Sequence, residues 1–228
     1  MRVSSREPAD ALRARPKQPM ADGPIGLRPL GIGRERDGFV YVPSSYHPDR
    51  PTPLVVMLHG AGGRGERTMR STQALAERKG LIVLAPDARQ ATWDVLYGGF
   101  GPDVAFIDAA LEDVFAHHNV DPARLAIGGF SDGASYALSL GLSNGDLFGH
   151  ILAYSPGFAA PGARRGTPGI YVSHGVRDEV LPIEACSRRL VPLLRQAGYH
   201  VTYREFDGPH TVPPEIAAEA VDWLLAEP

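Results

Sequence analysis

The chain has 228 residues, 43% hydrophobic and 21% charged, with a formal net charge of −3. That length suits one substantial core in a single α/β domain, and without a basic stripe a nucleic-acid partner is not expected. One cysteine, Cys186, excludes an intrachain disulfide and a cysteine-based metal site, and no apolar stretch approaches the ~18 residues of a membrane span.

Residues 1–24 are polar and punctuated by proline, which predicts a partly ordered arm ahead of a domain over 25–228. Within the arm, Leu12-Arg13-Ala14 is a candidate edge strand. The first twenty residues lack the apolar core of a secretory signal, so the cytoplasm is the expected setting. The Gly-x-Gly at Gly31 to Gly33 has neither the further glycine nor the helix of a dinucleotide loop. Gly38 to Pro43 reads as a strand, and Leu54 to His59 as a strand buried on both faces. A helix over Thr68 to Lys79 stops at Gly80, and Leu81 to Ala85 is a second buried strand. Val104 to His118 is amphipathic, with Val104, Ile107, Leu111, Val114 and Phe115 on one face. Asp121-Pro122 opens a turn into the run Leu125-Ala126-Ile127. Further strands are predicted at His150 to Tyr154, Ile170 to Ser173 and His200 to Phe206, with helices at Ile183 to Ala197 and Pro214 to Leu225. Such alternation implies a mostly parallel central sheet with helices on both faces.

Gly129-Phe130-Ser131-Asp132-Gly133 falls where a strand ends and a helix begins. In that context Gly-x-Ser-x-Gly exposes the serine hydroxyl at the sheet rim and aims helix N–H groups at the same point. A serine nucleophile needs a histidine base oriented by a carboxylate. Asp178 and His210 follow the strands at 170–173 and 200–206, so three strand ends supply Ser, Asp and His in chain order. His174 breaks that order and reads as a structural hydrogen-bonding residue. Asp207 shares one short loop with His210, a poor place from which to orient it. His117 and His118, adjacent on a helix, face different ways and make no metal pair. The glycine loop His59-Gly60-Ala61-Gly62-Gly63 supplies the other requirement of acyl transfer, donors for a developing oxyanion. The expected donors are the N–H groups of Ala61 and Asp132, each worth ~2.7–4 kcal/mol.

Leu-His-Gly-Ala-Gly-Gly at 58–63, Gly-Phe-Ser-Asp-Gly at 129–133, His-Gly-x-x-Asp at 174–178 and Gly-Pro-His at 208–210 resemble the α/β-hydrolase superfamily. They are most similar to its small phospholipase/carboxylesterase group, which includes acyl-protein thioesterases, and to feruloyl-esterase and polyhydroxybutyrate-depolymerase-like esterases. The resemblance runs from about Val40 onward. It implies a Ser131–His210–Asp178 triad, no metal and no cofactor. The thioesterases usually have glutamine after the nucleophile; here Asp132 brings a carboxylate beside the oxyanion site.

Only Ser155 to Gly169 separates two predicted strands, too little for a lid domain, so an open, shallow site is expected. Trp93, Tyr97, Phe100, Phe158, Val180, Leu181 and Val212 are the candidate pocket residues. The expected activity is hydrolysis of small to medium uncharged esters through an acyl-enzyme. Alternatives on the same triad are an acyltransferase, a thioesterase or a lysophospholipase; from another class comes a non-catalytic, hydrolase-like ligand-binding protein.

Overall fold

The computed structural model describes residues 8–21 and 23–226; residues 1–7 and 22 of the predicted arm lie outside the described residues. Eight strands form one sheet: β1 (Gly26–Pro29), β2 (Gly38–Val42), β3 (Thr52–Leu58), β4 (Ile82–Pro86), β5 (Val120–Phe130), β6 (His150–Tyr154), β7 (Gly169–Gly175) and β8 (Val201–Phe206). Their spatial order is β1-β2-β4-β3-β5-β6-β7-β8. The β1–β2 and β2–β4 pairings are antiparallel and the remainder parallel, an α/β-hydrolase arrangement. Among the described residues, five α-helices are interspersed: α1 (Gly65–Lys79), α2 (Pro102–His117), α3 (Asp132–Ser143), α4 (Ser187–Gln196) and α5 (Pro214–Ala226).

The period-two alternation of the strands sorts the core into two layers. Leu54, Val56 and Leu58 of β3 face the layer built with α2, α3 and α4, whereas Val55 and Met57 face the layer shared with α1 and α5. The parallel strands β3, β5, β6, β7 and β8 end along one edge, where α/β sheets bind ligands. β5 is longer than expected. It begins at Val120, and residues 121–124 bulge out between Thr52↔Val120 and Leu54↔Leu125, so Asp121-Pro122 lies within the strand.

Two connections are tied down in ways the residue pattern alone did not predict. Residues 8–21 are not a strand; they lie across the α2/α3 layer. Leu12 and Ala14 are buried in the core, Leu12 N–H donates to Asn144 Oδ1 at 2.9 Å, and Asp108 Oδ1 accepts the N–H groups of Arg13 and Ala14. Ser135, Ser139 and Ser143 recur every fourth residue on one face of α3. Each hydroxyl donates one turn back and accepts a loop N–H, from Gly157, Ala160 and Gly162 at 2.9, 2.9 and 3.0 Å. This ladder lays the β6–β7 connection flat on the helix instead of over the site.

Candidate active site

Ser131 occupies the tight turn between β5 and α3 with φ 58°, ψ −122°, a left-handed backbone that a side chain adopts only at a cost of order 1–3 kcal/mol. Its neighbours must be glycine for space. A Cβ on Gly129 would lie 2.4 Å from the Gly133 carbonyl carbon, and one on Gly133 would lie 2.3 Å from Leu58 O. The turn is fixed by Ser131 N–H donating to Tyr154 O at 2.9 Å, while Ser131 O accepts the N–H groups of Ala134 and Ser135. Helix α3 therefore starts directly beneath the hydroxyl.

Ser131 Oγ is 2.9 Å from His210 Nε2, and His210 Nδ1 is 2.6 Å from Asp178 Oδ2. The loops after β5, β7 and β8 thus bring the three side chains into one hydrogen-bonded line. Asp178 is buried. Burial alone would raise its pKa, but the bonds from His210 and from the N–H groups of Leu181 (2.8 Å) and Val180 (3.0 Å) outweigh it and hold the carboxyl below its ordinary value. His174 joins this cluster. Its Nε2 donates to Leu181 O at 2.8 Å and lies 3.2 Å from Asp178 Oδ2, while its Nδ1 accepts the Ser187 hydroxyl at 2.7 Å. Burial lowers its pKa, so it is a neutral support for the acid. Asp207 turns away and pairs with Arg177.

The glycine loop after β3 packs against the serine: a Cβ on Gly60 would lie 3.3 Å from Ser131 Cβ. His59 is its internal brace. Nδ1–H donates to Gly60 O at 2.7 Å and Nε2 accepts Ala88 N–H at 3.0 Å; burial lowers the ring's pKa and keeps it neutral. Gly62 N–H donates to Ala91 O and Arg36 to Gly63 O. Among the described residues, neither the Ala61 nor the Asp132 N–H has a hydrogen-bond partner, so both remain for a ligand. The Asp132 carboxylate turns from that point and accepts the Thr92 hydroxyl at 2.7 Å.

Residues 31–163, more than half the chain and including the glycine loop and Ser131, match the Esterase family model. The chain belongs to the Esterase family. Relatives of this esterase-family chain include feruloyl esterase C of Emericella nidulans, 29% identical over 65% of this chain and 57% of that protein. Another is the bifunctional acetylxylan esterase/xylanase XynS20E of Neocallimastix patriciarum, 28% identical over 65% of this chain and 22% of that protein. The matches therefore span little more than half of the first relative and under a quarter of the second. Among solved structures, esterase PE8 aligns with a TM-score of 0.69 at 24% identity, over 86% of this chain and all of that one. A thermostable esterase aligns at 0.68 and 26% identity, over 86% of this chain and 60% of the other.

This esterase-family chain has a cavity of about 780 Å³ opening at Ser131 and His210; it is not the shallow site expected, because it runs back over the sheet to Val55, Leu75 and Val221. Of the seven candidate pocket residues, Val180 and Val212 line it; the other five do not. Trp93 is fully buried, stacked between His59 and Tyr136 with its indole N–H on His59 O at 2.8 Å, and so supports the glycine loop from behind. Phe100 packs on Tyr136 in the core. Tyr97 and Phe158 are exposed on the surface, and Leu181 lies against Gly157. The lining comes instead from α1 and α5, including Thr68, Thr72, Leu75 and Ala217, and from Met57 and Phe130 of the sheet. Helical periodicity marks these helix residues as facing the sheet; it carries no sign that the two helices stand apart there. The glycines near 31–33 also find a use: Gly31 and Gly33 N–H groups donate to the chain's own Asp37 carboxylate.

Proposed function

We propose that the protein is a serine carboxylesterase that cleaves uncharged esters through an acyl-enzyme. Ser131 Oγ attacks the ester carbonyl carbon as its proton passes to His210 Nε2. The carbonyl oxygen, now negative, is met by the Ala61 and Asp132 N–H groups. The C–O bond to the alcohol breaks, and His210 returns the proton to the departing oxygen. Water then repeats the cycle on the acyl-enzyme, giving up a proton to His210 and releasing the acid and the Ser131 hydroxyl. Asp178 holds the ring with Nδ1 protonated, so Nε2 is the basic nitrogen. The observation that carries this reading is the unbroken relay of 2.9 and 2.6 Å beside two unclaimed N–H donors. The names of the relatives, a feruloyl esterase and an acetylxylan esterase, agree with ester cleavage.

The test is hydrolysis of p-nitrophenyl butyrate by the purified protein and its Ser131→Ala variant. Kcat/KM is expected to fall by at least about a thousandfold in Ser131→Ala, as when a triad member is removed elsewhere, with an unchanged circular dichroism spectrum. Equal turnover by the two proteins overturns the reading.

A further inference from the structure

The cavity does not end at the reacting serine. It continues between α1 and α5 across the sheet face, as far as Leu75 and Ala76 on one helix and Val221 on the other. From Thr68 to Leu75, or from Pro214 to Val221, seven residues at ~1.5 Å each span about 10 Å. From Leu58 back to Val55 along β3, three steps at ~3.3 Å give about the same depth. Carbon–carbon bonds of ~1.5 Å advance a zigzag chain by roughly 1.3 Å per carbon. The groove therefore matches about eight carbons in a line.

Its chemistry matches too. Val55, Met57, Leu75, Phe130, Leu152 and Val221 form the apolar floor and walls. Ser71 and Thr72 also face it, but both hydroxyls are returned to the Thr68 carbonyl, at 2.8 and 2.9 Å, and make no demand on a ligand. Among the described residues, no acidic residue lines the groove, and Arg67, exposed at the outer end of α1, is its only arginine or lysine. Of the two halves of an ester, the acyl group stays on the enzyme through both steps while the alcohol must leave after the first. The deep groove suits the half that stays.

We infer that this groove binds a linear saturated acyl chain of about eight carbons, which makes the favoured substrates medium-chain acyl esters. The inference rests on the acyl-enzyme reading for turnover but not for binding, so two measurements separate them. First, kcat/KM is measured for p-nitrophenyl acetate, butyrate and octanoate and for methyl ferulate. Each fully buried methylene is worth up to about fourfold, so octanoate is expected to exceed acetate by at least tenfold and to exceed methyl ferulate. Ala217 is half-buried on α5 and lines the groove; Ala217→Phe is expected to lower the octanoate-to-acetate ratio at least tenfold, a ratio that cancels any loss of active protein. Second, calorimetry is expected to show sodium octanoate binding to Ser131→Ala and at least tenfold weaker binding to Ser131→Ala/Ala217→Phe. Octanoate binding of this kind without turnover of any ester overturns the esterase reading and keeps the groove. Turnover of acetate with a flat or falling chain-length profile, a preference for methyl ferulate, or a ratio untouched by Ala217→Phe overturns the groove and keeps the esterase.

Discussion

Asp132 shows how one side chain can serve a site or spoil it. Its N–H faces the place where an oxyanion would form, and its carboxylate would repel that charge. At an effective dielectric constant of 20, two unit charges 5 Å apart repel by about 3 kcal/mol. The Thr92 hydroxyl holds the carboxylate aside at 2.7 Å. Thr92→Val is therefore expected to lower kcat on p-nitrophenyl butyrate about tenfold, and Asp132→Asn in the Thr92→Val background to restore most of it. An unchanged kcat in Thr92→Val means that the hydroxyl has no such role. The place of His174 in the chain marks it as a structural hydrogen-bonding residue. Its bonds reach Leu181 O and the edge of Asp178 itself. That convergence was illegible in sequence because it depends on how the loop after β7 folds back on the start of α4.

At the scale of elements, the meeting of Ser131, Asp178 and His210 was legible because the first two follow strands with clear apolar runs, Leu125 to Ile127 and Ile170 to Ser173, whereas His210 follows the mixed segment Val201–Phe206, marked as a strand mainly by the alternation of elements. The order of motifs along the chain then fixed which strand ends must meet. Element limits were less legible where side chains from elsewhere set them. Helix α1 begins at Gly65, ahead of the predicted Thr68, because Asp87 Oδ1 accepts the Gly65 N–H at 2.6 Å. Strand β1 was missed: only four residues long, it pairs antiparallel with β2 and leaves Leu27 half exposed, so it shows no buried run. The aromatic loop 87–102 misled for a related reason. Its composition resembles a pocket wall, yet Asp94 binds it inward by accepting Tyr136 O–H at 2.9 Å and the N–H groups of Gly101 and Asp103, and Trp93 follows into the core. The groove between α1 and α5 is a property of helix spacing, which no periodicity encodes.

For the whole molecule, buried polar groups set how stability depends on pH. His59, His118 and His174 are buried, and burial lowers the pKa of each below the ordinary 6.5. Between that value and their folded-state values the unfolded chain binds more protons than the folded one, so stability falls as pH falls. Each imidazole that stays neutral contributes a loss of up to about 1.4 kcal/mol per pH unit. The melting temperature is expected to drop by several degrees between pH 7.5 and 5.5, at about 2–4 °C per kcal/mol; a melting temperature constant over that interval contradicts this account. Further down, Asp178, with its lowered pKa, adds to the loss as it protonates. Asp103, raised by burial, works in the opposite sense there.

The central claim is that the hydroxyl at Ser131 is an activated nucleophile. Reaction of the folded protein with a fluorophosphonate, followed by intact-mass and peptide mass spectrometry, reads that property without reference to any natural substrate. One phosphonyl group per chain, located on Ser131 and absent from both Ser131→Ala and His210→Ala, is the expected result. A folded protein that takes up no label, or takes it up equally in the two variants, contradicts the account.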